Sequence, residues 1–524
     1  MAKRDPTIKE RLLNVFSPER AMKSYQERLR REESGQSPRM SYGSHGASQT
    51  LNSMRGWLVN GGSAQDDSDI YGSTLRQRAR DLYEGGGLAR SGPDKLTASV
   101  VAWGIRPKPQ IDGDFLGLSD EARQEAERNI SREWKLWADN TFCDAERKQN
   151  FYGLQNLAFL SELMSGDVFA LFGMKDNPRT PYRLTVKLLE ADRVCTPESS
   201  GDSTIDTARN GNRIIDGVEV NETGEVVRYH IASRHPLAKN DYSELTWQPI
   251  EAYGSDTGMP NILHLMTYER PEQHRGVPFV AAEIELLKQL SRYLNSELTA
   301  NIVASMFSVF LESTEDDSLS GLEEVVNESE RVTDDDYHYE LGPGVVLDLP
   351  FGKKPTAVNP TRNNSSFDKY MESMETIIGS SMNIPKEVLL SKYDSNYTAA
   401  RGALLDFWRT VRVYRTRFND AFNQPIYEAW LSEAVAGGRI EAPGFFDDPA
   451  IRQAWCGCAW MGASMGHVDP LKEVKAAEAR IANNISTQEQ EASEFNGNDW
   501  AANVRQRKRE VDVMKQFTQD TGGN

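Results

Sequence analysis

Residues 276–310 read GVPFVAAEIELLKQLSRYLNSELTANIVASMFSVF, and the reading of this stretch decides the fold. Pro278 stands where a first-turn proline costs nothing, because the N–H it lacks has no helical partner there. Apolar residues then recur at Val280, Ile284, Leu287, Leu290, Leu294, Leu298, Ile302 and Met306. Gaps of three and four keep one stripe of a helix apolar. A run of near thirty residues would span roughly 45 Å at 1.5 Å per residue, longer than an ordinary globular helix. Two readings follow: the central core helix of a large domain, or a strut in an assembly.

Working outward, the 524-residue chain is too long for one small core and implies two to four domains. Hydrophobic residues make up 38%, and no apolar run approaches the ~20 residues a bilayer span needs, so no membrane association is expected. Cys143, Cys195, Cys456 and Cys458 are too scattered for a disulfide framework, which points to a reducing compartment. Formal net charge is −18, against a tight nucleic-acid binder. Much of the excess sits in residues 312–340, where twelve Asp/Glu face one Lys/Arg.

In chain order, residues 1–69 read as an N-terminal arm, partly flexible, with Gly/Ser/Asn/Gln-rich sequence over 35–70. Helical spacing predicts helices over 71–83, 88–103, 118–140 and 142–165, with an edge strand at 105–111. From Gly166 to about Tyr268 short strands alternate with turns, and residues 221–224 form a hairpin connection. Two strands flank a Gly-Pro-Gly turn at 342–344, a polar loop occupies 359–366, and a helix covers 367–382. A long helix over 397–435 should kink or break at Pro425. The last eighty residues read as helical, ending in a frayed tail over 518–524. Helices, then strands, then helices again make an α+β chain with an inserted β-rich module.

Catalytic signatures are missing. No Walker A loop, dinucleotide fingerprint, H-E-x-x-H or nucleophile elbow occurs. Cys456 and Cys458 with His467 lack zinc-site spacing and read as buried or partly buried thiols. Asp334, Asp335 and Asp336 near His338 read as an acidic surface, with a hard-cation site as the competing reading. His230, His235, His264 and His274 show no triad spacing and read as structural. Arg401, Arg409, Arg412, Arg415 and Arg417 read as a solvated helix face, with a phosphate-facing surface as the alternative.

Several ordered motifs carry a resemblance. They are LRQRARDL at 75–82, Trp134 and Trp137 followed by Cys143-Asp144, LEADRV at 189–194, DGVE at 216–219 and Tyr229-His230. HLMTYERPEQHRGVP at 264–278 is the most specific; Asn396-Tyr397 with Ala400-Arg401, and VDPLKE at 468–473, complete the series. In this order they resemble the lambda-type portal family of tailed phages across roughly residues 40–517. Gly85-Gly86-Gly87 and Thr398-Ala399 depart from the family pattern, and the acidic segment 312–340 matches no motif of it.

The resemblance implies a mainly helical portal fold with wing, stem, clip and crown regions. It implies a ring of twelve copies at one capsid vertex of the virion, assembled in the host cytoplasm, and a conduit for DNA packaging and ejection. Implied partners are further copies of the chain, double-stranded DNA held weakly and non-specifically, the terminase large subunit, major capsid and scaffolding proteins, and head-completion or connector proteins. No enzymatic activity and no cofactor are implied. By position, residues 70–145 would be wing, 146–165 a stem helix, 166–275 the β-rich module with the clip, and 276–305 the second stem helix. Residues 306–397 would be the second part of the wing, and 398–517 the long helix and crown. The loop near 359–366, with Arg362, Asn363, Asn364 and Ser365, would be the tunnel loop. Glu285, Lys288, Arg292 and Glu297 are candidate channel-facing or solvent-facing charges on the stem. Two alternatives come from other classes: a metal-dependent nuclease or terminase-like enzyme using Asp334–Asp336, and a capsid or scaffolding protein without a channel.

Overall fold

The computed structural model describes residues 62–197, 205–208, 210–305, 309–311, 346–348, 367–393, 397–465, 470–496 and 500–521. The chain divides into two units, Met1–Gly62 and Ser63–Asn524, and everything below belongs to the second. Among the described residues the first element is α1 (Ala64–Glu84), which starts a few residues before the boundary expected from composition, and α2 (Leu88–Val100) follows. Strand β1 (Arg106–Pro109) follows, then α3 (Asp120–Ala138) and α4 (Phe151–Ser165).

The helix expected over 142–165 is shorter at its N-terminus. Phe142 lies in a 3₁₀ turn, Thr141–Cys143, and the Asp144 carboxylate then accepts the backbone N–H groups of Glu146, Lys148 and Gln149 at 2.9, 2.9 and 3.1 Å. Those amides are diverted from helical pairing, as Asp characteristically does. The helix starts only where Asn150 caps it by accepting from Gly153 N–H.

The β-rich module follows as expected. Strands β2 (Asp167–Met174) and β3 (Leu184–Glu190) join β9 (Ile262–Met266) in a sheet of order β3-β2-β9. Between them runs an antiparallel meander: β4 (Ile205–Thr207), β5 (Arg213–Ile215), β6 (Val218–Val220), β7 (Val226–Ala232) and β8 (Trp247–Glu251). The 221–224 turn connects β6 to β7, with Asn221 Oδ1 accepting the N–H groups of Thr223 and Glu225. Phe169, Leu189, Ile215, Val218, Tyr229 and Ile262 form a second, smaller core within this module.

Helix α5 (Ile284–Ser305) is the long helix of the opening stretch. It is shorter than the spacing predicts. A 3₁₀ turn, Ala281–Glu283, leads into it, and Val309–Leu311 is strand β10, paired in parallel with β11 (Val346–Asp348). After α6 (Phe367–Ser381) and the short α7 (Lys386–Leu390) come α8 (Tyr397–Phe418) and α9 (Gln424–Ala436). The interruption expected at Pro425 is a π-turn, Asn419–Asn423, with Pro425 in the first turn of α9. A π-turn is a recognised way to absorb such a break without ending the helix. Buried Asn423 uses it to receive the Gln155 amide at 2.9 Å, while Gln155 also bonds both backbone groups of Ile105.

The C-terminal part is not all helical. After α10 (Pro449–Trp455), strand β12 (Cys458–Met461) pairs antiparallel with β1, about 350 residues away in sequence. Helices α11 (Pro470–Ala482), α12 (Gln488–Asn496) and α13 (Trp500–Thr521) follow, and α13 carries helix into the tail expected to fray. The main core centres on the paired tryptophans of α3. Trp134 lies 5.0 Å from Trp137 and 5.0 Å, edge-on, from Trp430, and also packs on Phe151, Tyr427 and Trp460. One residue thus ties α3, α4, α9 and β12 together, and each such aromatic pair contributes about 0.5–1.5 kcal/mol beyond area burial.

Candidate functional site

The most specific sequence motif, 264–278, folds into the joint between α4, the β-module and α5. Its pivot is Arg275, whose side chain is 2% exposed. Nε and Nη2 grip the two Asp167 carboxylate oxygens at 2.6 and 3.2 Å. Nη1 donates to the carbonyls of Val194 and Asp216, and Nη2 to that of Ala191. A planar fork with five donors suits this arrangement, and an ammonium does not. Asp167, the first residue of β2, also accepts from Gly276 N–H at 3.1 Å and lies 3.3 Å from His264 Nε2.

The electrostatics follow the geometry. Burial by itself would raise the Asp167 carboxyl, but the Arg275 charge and the His264 hydrogen bond hold it well below the carboxylate range. Burial lowers the His264 imidazole despite Asp167, so the ring is neutral near pH 7. Around this pair runs a second ring of charge. Arg76 of α1 bonds Asp192 at 3.3 Å and Asp216 at 3.2 Å, and Arg80 pairs with Asp192 at 2.5 Å. LRQRARDL, LEADRV, DGVE and HRGVP, dispersed over 200 residues, therefore converge on one buried network. Gly166, at φ 88°, and Gly276 let two backbones cross beside it, and a Cβ on Gly276 would fall on the Gly166 carbonyl oxygen. Nearby, burial raises the Glu162 carboxyl against the pull of Arg417, its ion-pair partner.

This network spends every Arg275 donor on a structural acceptor, and leaves Arg76 Nη1 buried without a hydrogen-bond partner. It fixes how the long helix α5 leaves the β-module. Leu287 and Leu290 of α5 are buried, each 5% exposed, whereas Leu294 is 41% and Leu298 60% exposed. Farther along, Tyr293 stacks on Phe367 of α6 at a centroid distance of 5.8 Å and meets Tyr370 edge-on at 4.9 Å.

The expected site residues separate accordingly. Glu285, Lys288 and Arg292 are exposed on α5. Glu297 is 6% exposed, correcting the expectation that it faces solvent. Seven residues return nearly to the same side of an α-helix, so Glu297 lies on the Leu290 side, which packs inward. Arg362, Asn363, Asn364 and Ser365 lie outside the described residues, as do Asp334–Asp336, His338 and His467. Among the described residues, no group of His, Cys, Asp and Glu is arranged to hold a metal ion. Burial pushes the Cys456 thiol up to about 12, as for a structural cysteine. His230 bonds buried Glu219 at 2.9 Å. In the arginine series of α8, Arg415 donates to the Ser99 and Val100 carbonyls at the end of α2, and Arg417 serves Glu162 and the Met266 carbonyl. Both are structural anchors.

Comparison with known proteins adds the decisive observation. The family model described as "Phage portal protein, lambda family" matches residues 50–415, well over half the chain. The chain belongs to the lambda family of phage portal proteins. These are structural proteins of the phage virion, located at a capsid vertex. The chain is 23% identical to portal protein B of Escherichia phage lambda over 484 residues, covering 87% of each chain. It is 24% identical over 481 residues to the portal protein of Escherichia phage N15, again covering 87% of each. Among solved structures, it aligns with a chain in the neck of an empty GTA particle at a TM-score of 0.42 and 12% identity, covering 80% of this chain and 92% of that one. A chain from the virion of a native gene transfer agent particle aligns at a TM-score of 0.36 and 11% identity, covering 79% and 89%. Among the described residues, no helix is long and apolar enough to cross a membrane.

Proposed function

We propose that the chain assembles into a ring of twelve copies and acts as a conduit for DNA during packaging and ejection. The observation that carries this reading is α5: Leu287 and Leu290 near its start are locked into the protomer core, while Leu294 and Leu298, from its midpoint onward, stand exposed. Large apolar side chains exposed along one helix suit burial against a neighbouring copy. In that arrangement α4 and α5 are stem, the β-module carries the clip, residues 70–145 and 306–397 are wing, and 398–517 hold the crown. The tunnel loop is 359–366, with Arg362, Asn363, Asn364 and Ser365 meeting DNA. Glu285, Lys288 and Arg292 are the stem charges available to the channel. The terminase large subunit, head-completion proteins, and capsid or scaffolding proteins dock on the ring.

An acidic conduit agrees with sliding. Each phosphate neutralised by a cation adds a salt-dependent binding term, so sparse cations in a −18 chain steer DNA without trapping it. The test is the mass of the purified assembly together with negative-stain images. A dodecamer-sized ring with a central hole is expected, and a homogeneous monomer at high concentration overturns the reading. Arg362→Glu is expected to leave rings intact and to impair packaging or DNA retention. Normal packaging by that variant removes the tunnel-loop placement.

A further inference from the structure

The arginines singled out in α8 are largely committed: Arg415 and Arg417 anchor other elements, Arg409 approaches Asp406 at 3.8 Å, and Arg401 approaches Glu473 at 3.5 Å. A different cation cluster is not. Residues 505–509 read RQRKR, in the middle of α13, and all five are exposed. None of Arg505, Arg507, Lys508 and Arg509 forms an ion pair among the described residues, whereas α11 and α12 next to them are tied by Arg480 and Glu491 at 2.6 Å. Helix α13 carries five Lys/Arg against three Asp/Glu, a local net of +2 in a chain of net −18.

We infer that α13 is a docking surface for the phosphates of duplex DNA, bound without sequence preference. At 100° per residue, Lys515, Lys508, Arg505 and Arg509 fall within about 120° of arc. Asp512 is the one carboxylate on that arc, and Glu510 lies outside it. The four cations extend over about 15 Å of helix, the length of about four phosphates along one DNA strand. A lipid surface fits less well. Arg507 sits amid Trp500, Val504, Val511 and Met514, and a charge within the apolar stripe opposes insertion into a bilayer. The inference rests on the portal reading for its partner. It adds a second contact with DNA, in the C-terminal helix, besides the tunnel loop.

The test uses the full-length protein and a fluorescent 40-base-pair duplex of arbitrary sequence, followed by anisotropy across a salt series. The triple variant R505Q/K508Q/R509Q is expected to bind about tenfold or more weakly. Its plot of log K against log salt should be shallower by about 0.9 for each phosphate that is no longer neutralised. R409Q/R412Q, which removes charge from α8, is the control and is expected to retain wild-type affinity. Glutamine keeps helix propensity close to that of Arg and Lys, and circular dichroism with assembly mass checks that the fold and ring persist. Unchanged DNA affinity in the triple variant overturns the inference, as does an equal loss in the α8 control. Preferential binding of wild type to phosphatidylglycerol vesicles over duplex also overturns it. Rings that form normally while any of these results holds leave the portal reading standing, so the two fail separately.

Discussion

At Arg275 a single side chain makes five hydrogen bonds to four residues from three segments of the chain. Removing it leaves Asp167 ionised and buried. Arg275→Met is therefore expected to cost about 3–5 kcal/mol, read from urea unfolding, and Arg275→Lys to recover little of that because one ammonium cannot span the acceptors. Next to it, His264 gives stability a pH dependence of known sign. Its folded-state pKa lies below the unfolded value of about 6.5, so the unfolded chain binds the proton more tightly. This contribution is complete above about pH 6.5 and is lost as pH falls below it. Asp167, whose folded pKa is also depressed, adds a further loss below about pH 4. The urea midpoint of wild type is expected to fall between pH 7.5 and 5.5, and that of His264→Gln to change less over the same interval.

At the scale of the element, α5 has two halves with different duties. Leu290 packs in the protomer core, so Leu290→Asp is expected to unfold or destabilise the protomer itself. Leu298→Asp places its charge where the isolated chain already faces water. It is expected to leave the circular dichroism spectrum and melting curve of the protomer near wild type while reducing assembly, measured as particle mass. A Leu298→Asp variant that still assembles fully would show that this half of α5 is not buried between copies. Periodicity alone treats the stripe from Val280 to Met306 as uniform. The difference arises because neighbours cover only part of the helix, and neighbours are not written into a helical repeat.

At the scale of the whole molecule, the chain is an α+β protein whose distant segments close on one another. Strand β1 finds its partner β12 only through the aromatic core that brings α3, α9 and residues 458–461 together. Sequence reading of the last eighty residues as helical missed β12, because four residues of Cys-Ala-Trp-Met carry no strand period long enough to recognise. The cations of α13 were equally present in the sequence. Four of the five α8 arginines are tied to carboxylates or backbone carbonyls, and Arg412 is exposed like the α13 cations; that difference in commitment is a property of the packed chain.

The sequence by itself determined the α+β order, the boundaries of β2, α6 and the 221–224 hairpin, and, through dispersed motifs, the portal family. Those features are local: caps, turns and alternation act within a few residues. Tertiary structure alone decided that HRGVP, LEADRV, DGVE and LRQRARDL are parts of one buried ionic network. It also decided that Glu297 turns inward and that the leucine stripe of α5 divides between core and surface. A buried charge is tolerable only where partners from elsewhere in the chain surround it, and which segments meet there is set by packing rather than by spacing.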